Sequence, residues 1–446
     1  MTRHPFPASF KFGAATSSYQ IEGGWDLDGK GESIWDRFCH TPGKIEDAAT
    51  GDVACDHIHR WQEDVNLMAD LGLDAYRFSV SWPRILPAGR GAINEAGIAF
   101  YDRLVDGLLE KGIKPFVTLY HWDLPQQLQD EGGWTARSTV DAFCEYADVV
   151  SRRLGDRVKD WITLNEPFVS AFIGHWEGRH APGAHSEQAA LATTHHLLLA
   201  HGRSVPILRF NVQEASIGIT HVLHPSHAAS ASEQDQLAAQ QFDGLLNRTF
   251  LDPIAGRGYP KIVPYDRAIL ESLVQPGDLE AIAAPIDFMG VNYYTRRVSR
   301  SAAVPEVEND AQTVHVRDEQ TDMGWEVYPE GLFELFERLH RDYDFTSYFI
   351  TENGAAYPDE LDSGGRVKDI KRVSYFRRHL EQVALIIENG IPLHGYFAWS
   401  LMDNFEWGYG LSKRFGLIYI DFETQERTPK LSYWWYRDVI RGRSII

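Results

Sequence analysis

Apolar residues in this chain follow two alternating patterns. Short runs rich in β-branched and aromatic residues are separated by longer stretches whose apolar positions recur three or four apart. The short runs predict strands at 10–16, 74–82, 114–122, 158–167, 215–222, 285–295 and 347–354, and 393–407 supplies the last strand with a loop. The longer stretches predict helices at 59–72, 96–112, 135–155, 187–205, 232–250, 331–343 and 373–390. Gly72 and Gly112 sit where two of these helices should stop, and the 135–155 helix is expected to open on a Thr135 cap and end at Gly155.

Repeated strand–helix units imply parallel strands, which are buried on both faces and therefore read as apolar runs. Eight such units in 446 residues favour a closed (β/α)₈ barrel over an open doubly wound sheet. The fold class is α/β. With no Pro/Gly/Ser linker, charge block or low-complexity segment, residues 1–446 read as one catalytic domain. The polar stretch 300–324 is expected to be a long surface loop, its alternative being a wall of the active site.

Parallel barrels collect their chemistry beyond the C-terminal ends of the strands. Two of the strands run into a carboxylate there. "TLNEP" (163–167) ends an apolar run in Glu166, and "ITENG" (350–354) ends another in Glu352. The two lie 352 − 166 = 186 residues apart, yet a barrel aims both at one mouth. Cleaving a glycosidic bond needs a proton for the leaving oxygen and support for a cationic anomeric carbon. Two carboxyls supply both, provided one stays protonated and the other ionised. Asn165 and Asn353 flank them, and neutral amides can bind sugar hydroxyls without disturbing that split. Arg77, in "YRFSVSW", can keep one carboxylate ionised, though spacing does not say which.

The other strand ends are polar and aromatic too. Gln20 follows the first strand and His121 and Trp122 the third. Asn292, Tyr293 and Tyr294 follow the sixth, and Trp399, Glu406 and Trp407 the eighth. Gln, His, Asn and Glu make paired hydrogen bonds to adjacent hydroxyls, and Trp stacks on a sugar ring. Any one of these is more simply core packing, and their convergence carries the argument.

Composition narrows the partners. Hydrophobic residues make up 43% and charged residues 24%, as in globular proteins. A formal net charge of −20 argues against nucleic acid, anionic membranes and phosphorylated ligands as default partners. Aromatic content of 12%, with 13 Trp, suits sugar rings. Cys39, Cys55 and Cys144 form no disulfide framework and fit a reducing, cytoplasmic setting. The opening "MTRHPFPASFKFG" lacks the apolar core of a signal peptide, and no apolar run is long enough to span a bilayer. Of two histidine clusters, "HHLLLAH" (195–201) lacks the i, i+4 spacing of a metal face, and in "CDHIHR" (55–60) Asp56, His57 and His59 read as a helix cap plus packing. No metal or cofactor is expected. A non-catalytic carbohydrate-binding role would require a missing catalytic carboxylate, and neither is missing.

The stretches "TLNEP", "ITENG", "AYRFSVSWPRILP", "LYHWDLP" and "WSLMDNFEWGYGLSKRFGLIYIDFETQERTPK" resemble glycoside hydrolase family 1, the β-glucosidase family. The resemblance runs from "FKFGAATSSYQIEGG" to "PKLSYWWYRDVI". It implies a (β/α)₈ barrel and a retaining double displacement, with Glu166 as acid/base and Glu352 as nucleophile, their carboxyls about 5–5.5 Å apart. By the same resemblance Tyr294 and Arg77 hold and ionise the nucleophile. Gln20, His121, Asn165, Glu406 and Trp407 would bind sugar hydroxyls, Trp399 would be the stacking platform, and Trp325 would lie toward the aglycone; Asn292 joins the hydroxyl binders on its place after the sixth strand. The implied substrates are terminal β-D-glucosides such as cellobiose and aryl β-glucosides, within cellulose and polysaccharide degradation. A β-galactosidase or β-fucosidase preference, or transglycosylation, stays open. Relatives acting on 6-phosphoglycosides replace the residue matching Glu406. Here Glu406 is kept, a carboxylate that would face the sugar's 4- and 6-hydroxyls and repel a 6-phosphate, and Phe415 offers no phosphate ligand, which implies a non-phosphorylated sugar. Aglycone choice would rest on loops such as 168–186 and 300–330, and the oligomeric state is not legible.

Overall fold

A computed structural model describes residues 5–304 and 314–445. The first four residues of the opening segment and residues 305–313 of the expected surface loop lie outside the described residues. Eight parallel strands close into a barrel: β1 Lys11–Ala15, β2 Ala75–Ser79, β3 Lys114–Tyr120, β4 Asp160–Asn165, β5 Ser216–Val222, β6 Phe288–Asn292, β7 Tyr348–Asn353 and β8 Leu393–Trp399. Each pairs with its neighbours in sequence order, and β1 closes on β8. The principal helices follow in step: α1 His57–Leu71, α2 Glu95–Glu110, α3 Ser138–Leu154, α4 Glu187–Asn211, α5 Glu233–Asp243, α6 Glu330–Asp342, α7 Ile370–Glu388 and α8 Leu431–Gly442. No helix among the described residues is long and apolar enough to cross a membrane.

The lumen is filled by side chains. Phe116, Phe288, Phe349 and Phe397 meet at its base, with Phe116 5.0 Å from Phe397 and Phe288 5.1 Å from Phe349 between ring centroids. Tilted and edge-on pairs of this kind add about 0.5–1.5 kcal/mol each beyond their burial. That plug closes the lumen below the C-terminal mouth. Outside, α6 shows how the helices attach. Leu332, Leu335, Phe336 and Leu339 recur at helical spacing and are all buried.

Some local expectations change. The Thr135 cap does not form: Thr135 ends a 3₁₀ turn and its hydroxyl donates to the Gly132 carbonyl, while α3 begins at Ser138 behind Arg137. Asp56 does precede α1, but its carboxylate bonds His59 Nδ1 at 2.6 Å instead of capping the helix. The 232–250 helix stops at Asp243 and continues through a π-helical turn, Gly244–Arg248. The C-terminal helix α8 was not assigned from the sequence. Its Tyr436 hydroxyl donates to the Gly13 carbonyl on β1 at 2.9 Å, which seals the ring. All three cysteines are buried free thiols.

The strand ends that carry the glutamates are irregular. Alternation should send successive side chains to opposite faces. In β4, Ile162 faces the lumen, Thr163 bonds His201 of α4, and Leu164 packs outside. Asn165 then returns to the lumen, because the pairing with β5 slips between Ile162 and Asn165. In β7, Phe349 faces in and Ile350 out, and the pairing with β6 slips so that Asn292 meets Glu352. Such irregularities re-aim side chains beside active sites.

Candidate active site

The slips in β4 and β7 place Glu166 and Glu352 in one cavity of about 300 Å³ at the C-terminal mouth. Its walls also include His121, Tyr294, Trp325, Trp399, Glu406 and Trp407. Gln20, Arg77, Asn165 and Asn292 bond to residues that line it, or to one another. Glu166 has φ +45°, Trp122 +83° and Trp407 +49°. Three non-glycine residues in the left-handed region at one pocket mark backbone strain held by the surroundings. For Glu166 the consequence is concrete: the turn at φ +45° lets it follow Asn165 into the same mouth.

The two carboxyls sit in different company. Glu352 accepts from Arg77 Nη1 on one oxygen and from the Tyr294 hydroxyl at 2.6 Å on the other. Glu166 accepts from the neutral amide of Asn292 at 2.6 Å. Burial, then the negative charge of Glu352, pushes Glu166 up to about 8. Burial also raises Glu352, but the adjacent guanidinium and the Tyr294 bond pull it back. A cation in direct contact outweighs a neutral amide, so Glu352 is the one that ionises first. Sequence spacing left open which carboxylate Arg77 serves, and the bond to Glu352 answers it.

Arg77 is itself fixed from three sides. It donates to Thr118 Oγ1 at 3.2 Å, to the Thr351 carbonyl at 3.2 Å and to Asn165 Oδ1 at 2.7 Å. Asn165 therefore turns its amide nitrogen to His121, 3.0 Å away, and that ring nitrogen must accept. The other ring nitrogen of His121 then carries the proton. Burial, with the charge of Arg77, holds His121 well below its ordinary value, so the ring is neutral and offers one N–H. Asn292 ties the two strand ends together, donating also to Asn165 Oδ1 at 3.1 Å and accepting from Thr351 at 2.8 Å. Thr118 and Thr351 had no signal in the sequence beyond lying in strands.

Glu406 is pushed up to about 8 by burial and then by the charge of Glu352. Gln20 anchors its loop, donating to Phe405 O at 2.9 Å and Asn404 Oδ1 at 3.0 Å. Trp407 packs against Trp122 at 4.5 Å, and Trp122 donates its indole N–H to the Asn165 carbonyl. Trp399 and Trp407 lie near-parallel to the His121 ring, at 5.9 and 6.0 Å. Trp325 closes the opposite wall, 5.2 Å from Tyr294, with Met323 beside it. The end of the 300–324 stretch therefore walls the pocket. Trp122 lines the pocket as well, and His180 and the Val169–Glu177 π-helical segment bring the 168–186 loop to its wall.

Asn353 departs from expectation. It faces away from the pocket, donating to Tyr293 O at 2.7 Å and Tyr375 at 3.1 Å and accepting from Tyr396 at 2.7 Å. Gly354 after it is required by space, since a Cβ would lie 1.6 Å from the Trp399 carbonyl oxygen. Near Glu406, Ser412 bonds Glu46 at 3.1 Å and Lys413 bonds Asp322 at 3.0 Å, while Phe415 fills the wall. Neither polar side chain is left to hold a phosphate there. The histidine pair is structural: His195 is held by Tyr259 and Asp278, and His196 by the Trp134 carbonyl. Among the described residues no group of three or more His, Cys, Asp or Glu is arranged to hold a metal ion.

A family model described as "Glycosyl hydrolase family 1" matches residues 2–445. β-Glucosidase A of Acetivibrio thermocellus is 46% identical over 445 residues, 99% of each chain. A bifunctional β-D-glucosidase/β-D-fucosidase of Bifidobacterium breve is 42% identical over 460 residues, 98% of this chain and 99% of that one. Among solved structures, the Thermotoga maritima β-glucosidase in complex with deoxynojirimycin superposes with a TM-score of 0.94 at 45% identity, covering 99% of both chains.

Proposed function

The chain belongs to glycosyl hydrolase family 1 and is a glycoside hydrolase, and from that premise we propose that it is a retaining β-glucosidase acting on small β-glycosides such as cellobiose and aryl β-glucosides. β-D-Galactosyl and β-D-fucosyl residues fall within the same reading, which the bifunctional B. breve relative supports. The observation that carries it is the contrast between Glu352, in contact with Arg77 and Tyr294, and Glu166, bonded to a neutral amide and pushed up to about 8. The first is equipped as nucleophile, the second as acid.

In the first step Glu352 attacks the anomeric carbon as the bond to the aglycone oxygen breaks, and Glu166 gives its proton to that oxygen. In the second, Glu166 takes a proton from water, whose oxygen replaces Glu352 at the anomeric carbon and leaves the sugar in its β configuration. Gln20, His121, Asn165, Asn292, Glu406 and Trp407 serve the sugar's hydroxyls directly or through one another, and Trp399 faces its ring. The carboxyls supply both charge and proton, so the steps use no metal or organic cofactor.

Proton NMR of an aryl β-D-glucoside mixed with the enzyme tests this. β-Glucose is expected to appear before mutarotation, and early α-glucose would refute the double displacement. We also read residues 1–446 as one catalytic domain, which a single cooperative unfolding transition would support and two separate transitions would refute. A cytoplasmic setting suits three buried thiols that form no disulfide. Recovery of the enzyme from the culture medium of intact cells would overturn it.

A further inference from the structure

Among the segments that follow β7 and β8 runs a chain of six alternating charges: Asp369, Arg372, Asp359, Lys430, Asp403 and Arg414. Lys430 Nζ lies 2.6 Å from both Asp359 and Asp403. Arg372 lies 2.8 Å from Asp359, and Arg414 2.7 Å from Asp403. Five of the six side chains are at most 2% exposed, and Arg414 is 18% exposed.

The chain joins two loops. Asp359 follows β7, seven residues after Glu352, and Arg372 also donates to the Ala355 carbonyl at 3.1 Å. Asp403 follows β8, three residues before Glu406, and also accepts from the Gly416 N–H at 2.9 Å. Arg372 further donates to the Arg414 carbonyl at 2.7 Å, beside Phe415. Among the described residues, Lys430, at the start of α8, is the single cation bonded to carboxylates on both loops.

Buried ion pairs are poor sources of stability, because desolvating each charge offsets most of the attraction. Their strong property is geometric: every oxygen and nitrogen has one arrangement that satisfies it. We propose that Lys430 is a positioning residue, which through Asp359 and Asp403 sets the loop carrying Glu406 and Trp407 against the strand end carrying Glu352. Removing its charge leaves two buried carboxylates facing each other across the seam between those loops. The loop after β8 relieves that repulsion by shifting, and Glu406 moves with it. This inference rests on the reading of Glu406 as the group facing the sugar's 4- and 6-hydroxyls.

The test compares wild type and Lys430→Met on an aryl β-D-glucoside and the matching β-D-fucoside, which differs at those two positions. The KM for the glucoside is expected to rise about tenfold, the size of one weakened charge-assisted hydrogen bond. The KM for the fucoside changes less, so the glucoside-to-fucoside ratio of kcat/KM falls, while kcat on both stays near wild type. If Lys430→Met does not fold, Asp359→Asn loosens the same bridge at its β7 end while Lys430 stays paired with Asp403 and Arg372 with Asp369, and the same ratio decides. An unchanged ratio, or equal loss of kcat on both glycosides, would make the network merely structural and overturn the proposal. A wild type inert toward both glycosides would instead refute the functional reading along with it.

Discussion

Tyr294→Phe isolates one bond of the proposed nucleophile. The variant keeps the ring that packs against Trp325 and Phe415 and removes the hydroxyl 2.6 Å from Glu352. A hydrogen bond to a charged group contributes about 1.5–3 kcal/mol. Tyr294 is 8% exposed, so solvent in the pocket replaces part of the loss and the lower end applies. About 1.5 kcal/mol is about one pKa unit, or about tenfold in rate. The sign is fixed by which form the bond favours. The hydroxyl donates to the ionised carboxylate and opposes the upward push of burial, so its loss raises Glu352 further. Glu352 reacts only when ionised, and activity is lost as pH falls through its folded value. The acid limb of kcat/KM should therefore move up by about one unit, with kcat/KM at the optimum falling about tenfold. The assay is a pH series with an aryl β-glucoside. An acid limb left in place would refute the assignment of Glu352 as the ionised partner, whatever happened to the rate.

Glu166 predicts the opposite limb. Pushed up to about 8, it holds its proton below that pH and loses it above, so kcat/KM should fall as pH rises through about 8. Glu406 is pushed to a similar value, so the limb should be repeated in Glu166→Gln with an activated aryl glucoside; its survival there would assign it to Glu406 instead. Glu166→Ala should slow glycosides with poor leaving groups far more than activated ones, which need little protonation, and equal slowing would sink the acid role. Gly354→Ala drives a Cβ to 1.6 Å from the Trp399 carbonyl oxygen and should cost at least about 2 kcal/mol, read as a lower urea midpoint; an unchanged midpoint would mean that this contact relaxes freely.

The sequence by itself determined the architecture and the inventory. Eight apolar runs alternating with helical patterns can bury their faces only as parallel strands under helices, and the motifs at their ends carried both glutamates, Arg77 and the aromatic walls. Aim and division of labour came from tertiary contacts. Period-2 alternation continued from Phe349 would send Glu352 outward and Asn353 inward, and the slip against β6 reverses them. In β4 the slip against β5 and the left-handed turn at Glu166 bring two successive residues into one mouth. Residues far apart in sequence then split the roles. Arg77 from β2 reaches Glu352, Asn292 from β6 reaches Glu166, and Lys430 from the start of α8 spans the loops after β7 and β8. Spacing fixes which face a regular strand presents, but it does not encode a bulge's position or a partner from another strand. Those were decided only when the barrel closed, because a carboxyl's proton affinity depends on the charges and amides packed around it.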